Sequence, residues 1–152
     1  MSSITVASGF EEVQGEWEAL LPTCLTDTLW ITPRWERLWW QEMGQGDLLL
    51  LCLRTEGRLK GIAPLYRQGN TLSSLSSTDL CDYYDFVVSH DCPDTFYPAL
   101  LDYLGREVWD TIRLSSIRES SPTFSRLPRL AREAGYRVEV TPEDVAPGLA
   151  LP

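Results

Sequence analysis

Long apolar runs are missing from this 152-residue chain. No stretch reaches the roughly 18 consecutive apolar residues of a spanning helix. No basic region followed by an apolar segment opens the chain, so no secretory signal is read, and a soluble cytoplasmic protein is the expectation. Histidine is almost absent: with His90 alone, a His-rich metal site or a Cys–His dyad has few ways to form. The four cysteines, at 24, 52, 81 and 92, include no close CxxC pair. Cys52 lies in an apolar run and reads as a small buried hydrophobe. Basic residues are outnumbered, 13 to 22, and scattered, giving a net charge of -9 and a pI near 4.5. Such a field repels nucleic acid and anionic membranes, and neither is expected as a partner.

What the chain does have is aromatic surface: six Trp, six Tyr and four Phe. At this length that is enough for one domain with a real core. The domain is read over residues 1–141, with a Pro-punctuated tail or linker start over 142–152.

Residues 2–7 read as a short strand. Ser8 followed by Glu11 fits a capping box, and Phe10, Val13, Trp17, Leu20 and Leu21 recur at helical spacing over 10–21. Thr32-Pro33 starts a second helix in which Trp35, Leu38 and Trp39 share a face. The apolar run 48–54 predicts a strand covered on both faces, and Gly57 a tight turn into a partner strand over 59–66. Pro64 there removes a ladder donor and argues for an edge or a bulge. Gly69-Asn70 turns into a third strand near 71–75, and Phe86-Val87-Val88 could be the second half of that strand, broken. A helix over 95–104 follows, with Pro98 in its first turn, then a strand from Trp109 to Leu114. Pro128 argues against one straight helix over 122–134. Tyr136, Val138 and Val140 alternate as a last strand over 136–141.

Residues 76–94, SSTDLCDYYDFVVSHDCPD, match neither period. Asp82, Tyr83, Tyr84 and Asp85 are the candidate site there, because aspartate and tyrosine can move protons and bind polar groups. The competing reading is a hydrogen-bonded turn with buried rings. Trp40 points away from its helix's main stripe and is either a second packing face or a ligand-facing aromatic. Arg118 follows a strand end, where open α/β sheets often present ligand surface. It reads as a pair for Glu119 or a partner's carboxylate, or as part of a solvated loop. No catalytic residue and no metal ligand is assigned.

The order strand, helix, helix, three meandering strands, helix, strand, helix, strand is similar to the GCN5-related N-acetyltransferase (GNAT) fold. TPRWERLWW (32–40), GRLKGIAPLY (57–66), CDYYDF (81–86) and WDTIRLSSI (109–117) resemble the first half of two-domain proteins of the CelD-like group, distant relatives of the FemAB aminoacyltransferases. The resemblance implies an α/β fold with a mixed, largely antiparallel central sheet and helices on both faces. It implies acyl transfer to an amine, with the acidic-aromatic loop facing the acceptor cleft and a second GNAT-like domain, or a second copy, as partner. The family's phosphate-binding signature of small residues before the central helix is not matched. Asp91 and Asp94 stand there instead, so no coenzyme A is expected on this chain alone, though an acyl-CoA would serve a complete assembly. A non-catalytic interaction module and a stand-alone acetyl-CoA-dependent enzyme are the alternatives.

Overall fold

The computed structural model describes residues 3–24, 28–77 and 79–143. Its elements are β1 (Ile4–Ala7), α1 (Phe10–Leu20), α2 (Pro33–Met43), β2 (Asp47–Thr55), β3 (Arg58–Gln68), β4 (Thr71–Ser74), β5 (Val87–Val88), α3 (Pro93–Leu104), β6 (Thr111–Arg113) and α4 (Pro122–Glu133). The sheet runs β1-β2-β3-β4-β6, with β5 on the same side of β3 as a collinear continuation of β4. All pairs are antiparallel except β4 with β6.

β2 explains the layering. Leu50, Leu51, Cys52 and Leu53 are consecutive and all fully buried, which a strand achieves only when both of its faces are covered. α1 packs with α2, and α3 with α4. Trp17 of α1 is buried and donates its indole N–H to the Ile31 carbonyl at 2.9 Å, tying α1 to the segment before α2. On α3, Phe96 lies directly on Gly61 of β3; a Cβ at Gly61 would stand 2.3 Å from the ring. The β2–β3 turn places both Glu56 (φ 53°) and Gly57 (φ 77°) in the left-handed region, the type I′ geometry whose twist matches a hairpin.

Several expectations shift. Ser8 is held by the carboxylate of Glu12 rather than Glu11, one residue further along, because Gly9 occupies the cap position. In α2 the buried stripe is Pro33, Glu36 and Trp39, while Leu38 is 51% exposed. α3 begins at Pro93, so Pro98 lies in its second turn. α4 is continuous through Pro128, because Leu127 and Leu130 pack on the core on either side of it. The strand expected over 109–114 pairs only over Thr111–Arg113. The strand expected over 136–141 does not form. Tyr136 packs on Trp109 and Glu143 reaches the Ser116 N–H, so the segment is held at its ends by side chains, not by a ladder. The tail beyond residue 143 lies outside the described residues.

Candidate functional site

The sheet opens where β4 and β6 part. Their parallel ladder ends at Ser73 and Arg113. Beyond it Ser115 N–H donates to the Ser74 hydroxyl instead of to a strand carbonyl. Ser76 turns the chain out of β4, and it returns only at Val87. The intervening loop crosses the split. Tyr84 N–H donates to the Ser116 carbonyl at 3.0 Å. The Tyr84 hydroxyl donates to the carbonyl of Pro64, on the opposite flank. The Ser116 hydroxyl donates to the Cys81 carbonyl at 3.4 Å.

Pro64 makes room for this. β3 pairs with β4 from Leu65 onward and with β5 at Gly61 and Ile62, so Ala63 and Pro64 have no strand on their outer side. The Pro64 carbonyl faces that gap, and so would its N–H, so the missing donor costs no ladder bond.

The candidate residues divide by depth. Asp82 is exposed. Tyr83 is half-buried, edge-on to Trp30 at 5.6 Å, with the Arg118 guanidinium over its ring at 4.5 Å. Tyr84 and Asp85 are buried. Burial pushes the Tyr84 phenol well above its usual range, and the nearby Glu36 and Asp85 add to the shift. Asp85 accepts from Phe86 N–H at 2.8 Å and from the Thr123 hydroxyl at 2.6 Å. Having given its one proton to Asp85, Thr123 must accept from Tyr97 at 2.7 Å. Burial raises the Tyr97 phenol, partly offset by that bond. Trp40 is not part of this group: it is half-buried in the α2–β3 packing, with its ring 5.8 Å from that of Tyr66.

A cavity of about 20 Å³, room for about one water molecule, lies beside this network. Asp85, His90, Pro93, Tyr97 and Pro122 line it. The backbone entering α3 is already committed. Ser89 N–H donates to Lys60 O, His90 N–H to Thr23 O, and Cys92 N–H to Ser89 O. Asp91 stands 3.6 Å from Lys60, and Asp94 pairs with Arg126 of α4. No cluster of three or more metal-ligating side chains occurs among the described residues, and no helix there is long and apolar enough to cross a membrane.

Sequence reasoning missed four residues that build this region: Trp30, Glu36, Tyr97 as a hydrogen-bond donor, and Thr123. Only Thr123 left a signal, two residues after a capping serine whose hydroxyl accepts from its N–H.

This arrangement of sheet and helices has a solved counterpart. The crystal structure of a ribosomal-protein-alanine N-acetyltransferase from Brucella melitensis biovar Abortus 2308 superposes with a TM-score of 0.56 at 15% identity. The match covers 97% of this chain and 100% of that one. The fold is GNAT-like. No family model and no curated protein matches the sequence. Within the GNAT-like fold, the chain departs from regularity at the broken β4–β5 edge and at the loop that crosses the split.

Proposed function

We propose that this chain is a GNAT-like domain of an N-acyltransferase, of the CelD-like type, that contributes the acceptor side of the reaction and holds no coenzyme A of its own. The fold supports the acyltransferase class, and the four sequence segments named above support the narrower branch. The observation that carries the acceptor-side reading is the engagement of the backbone ahead of α3. A pyrophosphate needs a row of unspent N–H groups at a helix start. Here those of Ser89, His90 and Cys92 are spent on protein carbonyls, and the nearby cations Lys60 and Arg126 are engaged by Asp91 and Asp94. These residues do not fit that group.

The acceptor surface is then the outer side of the loop. Asp82, exposed there beside Tyr83, is able to take a proton from an ammonium as its nitrogen becomes nucleophilic. Tyr83, backed by Trp30 and Arg118, supplies an aromatic wall. Tyr84 and Asp85 hold the loop rather than meet the acceptor. Calorimetric titration with acetyl-CoA tests the donor half, and saturable micromolar binding by this chain alone overturns it. For the acceptor half, Asp82→Asn in a reconstituted two-domain assembly should lower the rate while leaving the fold intact. An unchanged rate removes Asp82 from the chemistry.

One observation favours a second reading, a non-catalytic interaction module. β6 ends the sheet with strand pairing on one side only among the described residues, and the strand-patterned segment after α4 pairs with nothing there. Exposed edges invite strand addition. Light scattering that shows only monomer rejects self-association through this edge.

A further inference from the structure

Glu36 has no evident business in the interior. It lies on the buried stripe of α2, fully buried, and neither of its carboxyl oxygens has a hydrogen-bond partner among the described residues. The titratable groups facing it are the Cys81 thiol and the Tyr84 phenol, both on the crossing loop and both acids. No described Lys, Arg or His pairs with it. Desolvation holds its carboxyl well above the usual carboxylate range, and the proximity of Cys81 adds to the effect. The same face of α2 touches the loop again one turn on, where Trp39 Nε1 donates to the Ser77 hydroxyl at 3.5 Å.

An ionised Glu36 in this position needs water or a donor. α2 cannot readily yield. Thr32 caps it, accepting from Trp35 N–H at 3.2 Å, and Arg37 ties it to Glu11 of α1 at 2.5 Å. The loop is held by the bonds of Cys81 and Tyr84 to Ser116 and Pro64 and by that of Asp85 to Thr123 of α4. It has no helix or strand of its own over 79–85, and irregular segments open before the helices and strands they rest on.

We propose that Glu36 is a proton-controlled latch for the loop over residues 79–85. Protonated, it lets the loop seat across the split between β4 and β6; ionised, it releases the loop and opens the split to solvent. The latch regulates the acceptor surface described above, and to that extent rests on that reading, but the movement itself needs neither donor nor acceptor.

The test uses the thiols of the intact chain and no acyl compound. Iodoacetamide labelling of Cys81, located by peptide mass, is followed from about pH 5 to about pH 9 in wild type and in Glu36→Gln. Taking the ratio of the two rates at each pH cancels the intrinsic ionisation of the thiol. The ratio should be near one at the acid end and rise by about tenfold or more at the alkaline end. Simple repulsion between an ionised Glu36 and the thiolate would lower the wild-type rate, so a rise is not a charge artefact. Cys52, buried in β2 with its thiol pushed up to about 11, is the internal control for global unfolding. A flat ratio, or Cys52 labelling in step with Cys81, overturns the latch. Should Glu36→Gln not fold, hydrogen exchange at the Tyr84 amide gives the readout in wild type. After correction for base catalysis, its protection should fall with rising pH while that of the β2 amides stays constant; protection that does not fall overturns the proposal.

Discussion

The Tyr84 hydroxyl bridges the gap between β4 and β5 on the outer side of β3 by donating to the carbonyl of Pro64. Both partners are buried, so nothing replaces the bond when it is lost. Tyr84→Phe should cost about 1–3 kcal/mol, the penalty of an orphaned buried carbonyl. Urea unfolding monitored by tryptophan fluorescence measures it. A loss near zero means that water reaches Pro64 and that the loop is not seated there.

The Tyr97–Thr123–Asp85 relay joins α3, α4 and the loop through one hydroxyl. Thr123→Val breaks both bonds, whereas Tyr97→Phe breaks only the outer one. The valine variant should therefore lose more stability, about 1.5–3 kcal/mol, the worth of a hydrogen bond to a carboxylate. The double variant should cost less than the sum of the single ones, because the second loss is partly contained in the first. Additive losses in denaturant titrations would show that the three groups do not act as a relay.

Much of this fold was legible because its signals are local. The run 48–54 forms β2, and the Glu56-Gly57 turn sets the hairpin. Phe86-Val87-Val88 supplies β5, the continuation of the broken strand. Residues 136–141 show the limit. Alternation of Tyr136, Val138 and Val140 says that the segment suits a strand, but not whether a neighbour is there to pair with it. Pro128 misled for a related reason: a lost helical bond was weighed without the packing of Leu127 and Leu130 that outweighs it. In the site, Asp82, Tyr83, Tyr84 and Asp85 were read together because they are consecutive in one loop, whereas the stacking of Arg118 on Tyr83 joins segments far apart in sequence and left no signal. Trp40 did not join them, because the ring it meets, that of Tyr66, is on a strand distant in sequence. Glu36 was passed over because a charged residue on a helix is ordinarily read as facing water.

Gly61 should tolerate no side chain. Its missing Cβ is the space occupied by the Phe96 ring, 2.3 Å from where that atom would stand. Gly61→Ala should destabilise by about 1–3 kcal/mol through overpacking of α3 against β3. Combining it with Phe96→Leu should cost less than the two changes made separately. Thermal unfolding of the single and double variants decides it, and a double variant no better than additive would place the strain elsewhere.

Glu36 makes stability depend on pH in a direction opposite to an ion-paired carboxylate. An unfolded glutamate ionises near pH ~4.3. In the fold, burial raises the value well above that, so over the interval between the two the folded chain keeps a proton that the unfolded chain has released. The contribution of Glu36 is therefore most favourable below the unfolded value and is lost as pH rises toward the folded one. Glu36→Met keeps the volume and removes the titration. At neutral pH it should stabilise the protein, on the order of 1–3 kcal/mol, by sparing the fold the cost of keeping uncharged, in the interior, a carboxyl that the unfolded chain ionises. Near pH ~4.5 the gain should shrink, because there the native carboxyl is neutral at little cost. Urea midpoints for both proteins at these two pH values, with unchanged slopes, are the measurement. A gain of the same size at both, or a loss at neutral pH, would show that Glu36 has a partner in solution and is not the strained group.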